Sequence, residues 1–528
     1  MKNKFKVFLS CLLALMLFSS AASLTAGAAD YDTANATGFV FSDSGITVTE
    51  GSYTGYKVKG TALSVTDAGT YVVSGTCSGG TIVVKKNVTG VTLVLDGLNL
   101  SASATAPITF NKGSQATLIA KDGTVSTLAD DKYNNDDIYT DIELYPDIEN
   151  AVIKCKDGSN VTICGSGTIN VNSYGKNGIK GGYDLYEEDD DGNVTDTLLS
   201  TASLTIKEVT LNVNAAVNDG IKSDKELNIL SGNITVSAAD DAVKCDYVLN
   251  IGAKGTEGPA IKVTKANEGI EAAVVNVYSG NVTVNATDDG INAANSDLTN
   301  YNFGYNQYGG YVCINCTNGD GLDSNGTLLL KGGTLEVYGP SSGDGEPLDA
   351  ESTVTFAGAT VLAVGQNQMN QPLVSDGAAY VTFGASASGR PGGIFSGGNT
   401  SVVTAGNTIS IKDSSGNTLY SGKAVRNASY VIFSSPALVN GSSYTLYNGS
   451  SSSSTSYAAN STSGNNPGGN GPGGNRPGEG YSGQQPGEGE DAGTDDSGIG
   501  SVLNTILNFF RSVWAWIVSF VAKIIALF

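Results

Sequence analysis

The chain has 528 residues, with 51 acidic against 29 basic side chains, no histidine and a formal net charge of −22. That balance argues against a nucleic-acid partner, which needs a basic face. The absence of His removes Ser-His-Asp catalysis, Cys-His catalysis and His-ligated zinc together, leaving oxygen chemistry.

Residues 1–28 read as a secretion signal. Lys2, Lys4 and Lys6 precede an apolar run from Val7 to Phe18, and Ala26-Gly27-Ala28 supplies a small-residue cleavage site. The apolar run is too short to cross a bilayer. The expected location is therefore secreted, either extracellular or held at the cell surface. Six cysteines follow, at 77, 155, 164, 245, 313 and 316. Their spacing fits no small disulfide framework, and buried core thiols are the simplest account. Cys313-Ile314-Asn315-Cys316 is a lone CxxC, a weak metal signal and a candidate for a local disulfide.

Residues 29–377 read as a right-handed parallel β-helix, an all-β solenoid. From about Thr47 to Thr127, short strand patterns such as Ile82-Val83-Val84 and Val91-Thr92-Leu93 alternate with Gly-bearing turns. An insertion rich in Asp and Tyr runs from Ala129 to Asn150, and the pattern resumes at Ile153-Lys154-Cys155. One phrase then repeats. It reads Asn218-Asp219-Gly220-Ile221-Lys222-Ser223-Asp224, then Asp240-Asp241-Ala242-Val243-Lys244-Cys245-Asp246, Asn267-Glu268-Gly269-Ile270, Asp288-Asp289-Gly290-Ile291 and Asp320-Gly321-Leu322-Asp323. It fades through Glu346-Pro347-Leu348 and Gln371-Pro372-Leu373. The aliphatic anchors Ile179, Ile221, Val243, Ile270, Ile291, Leu322, Leu348 and Leu373 are 42, 22, 27, 21, 31, 26 and 25 residues apart. A unit of about 21 residues with insertions suits a solenoid whose coils bury their apolar faces by stacking.

Two of those insertions carry side chains of interest. Tyr183 to Leu199 holds Glu187-Glu188-Asp189-Asp190-Asp191-Gly192, which reads as a solvated acidic loop or, less simply, a calcium loop of non-EF-hand order. Asn295 to Val312 carries Tyr301, Phe303, Tyr305, Tyr308 and Tyr311 among Asn and Gly. Pyranose faces stack on such rings while hydroxyls bond amides, so these five are the carbohydrate-binding candidates. The alternative is that they pack the loop onto the coil.

Aligned on the anchors, the phrase places acids and amides in columns. Two positions before the anchor come Asn177, Asp219, Asp241, Glu268, Asp289, Asp320 and Glu346. One earlier come Asp240 and Asp288, and three after come Asp224 and Asp246. Equivalent residues of stacked coils lie about 4.8 Å apart. There two carboxylates repel by about 3.5 kcal/mol at an effective dielectric of 20 and about 0.9 in water. Protons, Lys222 and Lys244, or bridging divalent cations can relieve that repulsion. Hard oxygens converging from several coils suit Ca²⁺, while Asn and Asp also simply serve turns.

After Asp376 the repeat ends. Residues 378–447 read as a small β cap, needed because an uncovered last coil exposes core and strand edges. Residues 448–498, rich in Ser, Gly and Pro, read as a disordered linker. In 499–528, polar or small positions recur every three or four residues opposite a face containing Phe509, Trp514, Phe520 and Ile524. This is the pattern of an amphipathic helix that lies on a membrane surface or self-associates.

The signal, the Tyr71 to Leu100 entry, the Asp219-Gly220-Ile221-Lys222-Ser223-Asp224 phrase with its Gly319-Asp320-Gly321-Leu322-Asp323-Ser324-Asn325 variant, and the Tyr444-Thr445-Leu446-Tyr447 ending resemble the secreted clostridial carbohydrate-binding β-helix proteins. The resemblance spans residues 40–447. It implies a pectate-lyase-like fold, calcium along the coil at Asp219, Asp240, Asp241, Asp288, Asp289 and Asp320, and binding of plant cell-wall polysaccharides such as cellulose or pectin-like polygalacturonate. Glu268 and the coils from Glu346 onward depart from the motif.

The expectation is a non-catalytic, calcium-binding polysaccharide binder. Two alternatives stand beside it. One is a calcium-dependent pectate lyase with an outward lysine as base, although the four arginines at 390, 426, 476 and 511 lie outside the repeat. The other is a surface adhesin for a protein ligand.

Overall fold

The computed structural model describes residues 31–458 apart from 50, 142, 183–185, 189–193, 199–202, 344, 367–371 and 385–400. The chain divides into two compact units, Met1–Gly469 and Asn470–Phe528, and the described residues belong to the first. The expected signal and terminal helix, and the 459–498 part of the expected linker, lie outside them.

The described residues contain strands and turns and no α-helix. Thirty-five strands form one large, mostly parallel sheet wound in β-helix-like coils. The coil at the centre shows the rule. Its first strand is Ile221–Ser223, its second Glu226–Ile229 and its third Asn233–Ala238. Each pairs in parallel with its counterpart in the next coil, Ile221 with Val243, Leu227 with Leu249 and Ile234 with Ile261. The corner between first and second strands is closed by Ser223, whose hydroxyl donates to the Glu226 carbonyl at 3.0 Å.

Period-two alternation decides which side chains enter the coil. Ile179, Ile221, Val243, Ile270, Ile291 and Leu322 are fully buried and continue the inner stack that earlier coils begin with Ile82 and Ile108. The glycine before the anchor is a matter of space. A Cβ on Gly290 would sit 2.1 Å from Ile314 Cγ2 and 2.4 Å from the Gly321 carbonyl of the next coil. Leu373 differs from its sequence alignment. Leu373–Ser375 pairs with Thr353–Phe356, so it extends the second-strand stack rather than the anchor stack.

Cys77, Cys155, Cys164, Cys245 and Cys316 are buried, and none of the six described cysteines is in a disulfide. Cys313 and Cys316 lie on one strand with opposite orientations, Cys316 inward and Cys313 outward. This alternation rules out a bridge between them.

At the C-terminal end Tyr430–Ser434 runs antiparallel between Thr360–Gly365 and Tyr380–Gly384, turning the last coil edge back on itself. A four-stranded antiparallel sheet follows, built from Thr408–Asp413, Thr418–Lys423, Ser443–Asn448 and Ser451–Tyr457. The serine tract from Ser451 is therefore a strand rather than the start of a linker. Its backbone pairs with Ser443–Asn448, which needs no apolar side chain.

Candidate functional site

The third strand of each coil ends in the phrase, and the corner into the next first strand carries the acids. Among the described residues, three groups of carboxylates each bring one oxygen per residue within 4.8 Å of the others: Asp219, Asp240 and Asp241; Asp241, Glu268 and Glu271; Asp320, Asp323 and Asp349.

These acids also serve the backbone. Asp219 Oδ1 accepts the amide of Asp241 at 3.3 Å, Asp289 Oδ1 accepts that of Asp320 at 2.6 Å, and Asp320 Oδ1 accepts that of Glu346. The turn-serving reading of Asp is thus realised, from coil to coil rather than within one turn. It uses one oxygen of each carboxylate in these bonds.

Burial and crowding push the carboxyl groups upward. Asp219 rises to about 6 through burial and the neighbouring Asp241 charge. Glu268 rises to about 8 through burial, Asp241 and Glu271. Asp320 and Asp323 each rise to about 7, chiefly by burial. Burial also raises Asp241 and Asp289. A set of carboxyls that resists ionising when bare is one a cation can relieve.

The remaining sequence-derived ligands are placed differently. Asp224 and Asp246 fall in none of the three groups. Lys222 Nζ lies 3.9 Å from Asp224 Oδ1 and 3.8 Å from Asp246 Oδ1, and Lys180 lies 3.9 Å from Asp224 Oδ2. They are neutralised by lysine, since strand alternation turns both toward the column at the position after the anchor. Asp288 and Asp289 lie near Gly319, where an added Cβ would meet their Oδ1 atoms. They too fall outside the three groups.

Lys222 and Lys244 belong to a further column, at the position after the anchor. It runs in register through Lys154, Lys180, Lys222, Lys244, Glu271, Asn292 and Asp323. Its sign reverses midway, from four cations to acids. At the reversal Lys244 donates to Asp241 Oδ2 at 2.8 Å and pairs with Glu271, placing its ammonium in the second carboxylate group. Asp323, Asp349 and Glu271 belong to this column and its continuation, and the same anchor alignment would have exposed them.

The aromatic candidates separate. Tyr305 is fully buried, with its hydroxyl donating to Gln307 Oε1 at 2.9 Å. It is a core residue rather than a sugar contact, because Gly304–Gln307 is a coil strand on which Tyr305 and Gln307 point inward. Tyr311 opens the following strand and donates to Glu336 Oε2 at 3.2 Å. Tyr301 packs on Tyr247 and Phe303 at 6.0 and 5.6 Å between centroids. Tyr308 stacks on Tyr278 at 5.2 Å and is 42% exposed.

Residues 59–197 and 183–257 match the profile of a family described as "Carbohydrate-binding domain-containing protein". The match supports a carbohydrate-binding family for that stretch. No curated protein matches the chain. Among solved structures, the polysaccharide lyase-like protein from C. thermocellum, a gadolinium derivative, is 21% identical. That match covers 60% of this chain and 95% of the other, with a TM-score of 0.33.

Proposed function

We propose that this protein is a secreted, non-catalytic, right-handed parallel β-helix that binds plant cell-wall polysaccharide, cellulose or pectin-like, and holds Ca²⁺ along its acidic corner. The observation that carries the calcium reading is the convergence of Asp219, Asp240 and Asp241, and of Asp320, Asp323 and Asp349, on spaces 4.8 Å across. Carboxylate-only donor sets of this kind suit a hard cation that accepts six to eight oxygens in flexible geometry. With calcium in place, the corner would also offer open coordination positions to the carboxylates of an acidic glycan.

Holding rather than cutting is favoured by the lysines. A lyase needs a free base beside its metal, and Lys222 and Lys244 face carboxylates instead. The lyase alternative has one observation in its favour. Burial, helped by the Lys180 charge, lowers Lys154 to about 8, a base-like value, although that side chain is only 5% exposed.

The deciding experiment is retention of the protein on cellulose and on pectin gels, with and without chelator. Retention on polysaccharide is expected, and chelator is expected to weaken it on pectin. No retention on any polysaccharide overturns the reading in favour of a protein ligand. Ultraviolet-absorbing unsaturated uronides on incubation with polygalacturonate and calcium overturn it in favour of a lyase.

A further inference from the structure

A second surface, away from the aromatic loop, has the make-up of a sugar-binding face. The third-strand face carries a groove of about 320 Å³, within the range of ligand sites of roughly 300–1,000 Å³. Its lining is uncharged. Thr127, Asn170, Asn212 and Thr235 stand in register on four successive coils, with Asn172 and Asn214 beside them on the same face.

The amides are oriented rather than consumed. Asn212 Nδ2 donates to Asn170 Oδ1 at 2.9 Å, and Asn170 Nδ2 reaches Thr127 Oγ1 at 3.5 Å. An asparagine side chain offers two donor hydrogens and an acceptor oxygen, so each rung keeps hydrogen-bonding capacity toward solvent. Tyr174 lies just past the strand Thr168–Ser173, in the bend that follows Asn172, and is 52% exposed at the side of the groove.

Successive rungs lie about 4.8 Å apart, close to the rise of one pyranose in an extended β-1,4-linked chain. A glycan running along the coil axis can therefore present one sugar per coil to one amide or hydroxyl per coil. The uncharged lining of these four rungs favours a neutral chain, because a polyuronate would meet a cation only at the next rung, where Lys262 stands in register with Thr235. The stretch that matches the carbohydrate-binding profile, residues 59–257, contains every groove residue named here and ends before Tyr301.

From these observations we infer that the groove on the third-strand face is a binding site for a neutral, extended β-1,4-linked glycan, flanked by the exposed ring of Tyr174. The inference rests on the polysaccharide-binding reading and moves the neutral-sugar site away from residues 301–311.

The test uses the full chain with cellohexaose, xylohexaose and a galacturonate hexamer plus calcium as probes, measured by titration calorimetry. Asn172→Ala combined with Asn214→Ala removes amides that make no side-chain hydrogen bond among the described residues. Tyr174→Ala removes the flanking ring, and Tyr308→Ala serves as control. Wild type is expected to bind at least one neutral hexamer. The groove variants are expected to weaken that binding tenfold or more, with unchanged melting temperature and unchanged galacturonate binding, while the control matches wild type. Groove variants that bind neutral hexamers like wild type overturn the assignment, as does loss in Tyr308→Ala alone. Wild type that binds only the galacturonate overturns the groove and leaves the broader reading intact. Wild type that binds no glycan overturns both.

Discussion

The backbone amide of Asp320 donates to Oδ1 of Asp289 at 2.6 Å, across the gap between two coils. One carboxylate thus does two things: an oxygen satisfies the next coil's backbone, and a charge joins the acidic corner. Substitution separates them. Asp289→Asn keeps an acceptor oxygen for the Asp320 amide, and Asp289→Ala does not. The alanine variant is expected to lose about 1 kcal/mol, the low end of the cost of an unsatisfied donor, because this bond is only part-buried. The asparagine variant is expected to stay near wild-type stability while its calcium response weakens, because Asp289 adds its charge beside Asp320 and Asp323 although it lies outside their carboxylate group. Urea unfolding with and without calcium reads both effects. Equal destabilisation by both substitutions would show that charge, not the inter-coil bond, is what Asp289 contributes.

The crowded carboxyls give a pH dependence of definite sign. Asp219, Asp320, Asp323 and Glu268 are raised in the folded chain to about 6, 7, 7 and 8, from 3.8 for Asp and 4.5 for Glu. Between those ordinary values and the raised ones, the folded chain holds more protons than the unfolded chain. Stability therefore falls as pH rises through that window. In chelator the melting temperature is expected to be highest near pH 4 as far as these groups are concerned and to decline steadily toward pH 8. Millimolar calcium, which binds the ionised form, is expected to remove the decline and to bind more weakly below pH 6. A chelated protein whose melting temperature rises from pH 5 to 8 contradicts the assignment.

How much of this was legible beforehand depends on what each residue contributes to the period. Ile221, Val243 and Ile270 announce the coil because each must be apolar for stacking to bury anything, and their alignment brings Asp219 and Asp241 with it. Asp323 and Glu271 were hidden for a simple reason. Their column begins as Lys154, Lys180, Lys222 and Lys244, so it reads as lysine rather than as ligand until the anchor alignment is followed to its later coils. Tyr305 does not announce itself as a core residue because Gly304–Gln307 lacks the aliphatic residues that mark a strand. Only the pairing of Tyr305 with Val275 and Leu328 shows that it takes an aliphatic's place inside the coil. The Asn170–Asn212 groove left no motif at all, since amides at alternate positions of a strand look like ordinary solvent-facing residues.

That inward position of Tyr305 has its own test. Tyr305→Ala is expected to cost about 3–5 kcal/mol, as large aromatic truncations in packed cores do, and to leave glycan affinity unchanged at temperatures where the variant stays folded. Tyr305→Phe keeps the ring and orphans only its hydrogen bond with Gln307, so its cost is expected to be about 1 kcal/mol. Thermal unfolding followed by circular dichroism separates the two. A specific loss of sugar binding in Tyr305→Phe at wild-type stability would return this residue to the binding surface.

Lys244 marks the place where the outward column changes sign, and it acts there as an internal counter-ion. Its ammonium sits between Asp241, 2.8 Å away and 3% exposed, and Glu271. Burial disfavours that charge, but Asp241 and Glu271 outweigh it, and the net effect raises the affinity of Lys244 for its proton. Lys244→Met removes the cation and leaves the long apolar stem. In chelator this variant is expected to lose up to about 3 kcal/mol, the lower end of the cost of breaking a buried pair, because Lys244 is a quarter exposed. The same change leaves Asp241, Glu268 and Glu271 without a resident cation, so calcium is expected to stabilise the variant more than it stabilises wild type. Calorimetric titration is expected to show a tighter or additional ion. Differential scanning fluorimetry across a calcium series checks the first point. If the calcium-induced rise in melting temperature is no greater in Lys244→Met than in wild type, this carboxylate group serves the lysine alone, and the metal-holding role narrows to the groups around Asp219 and Asp320.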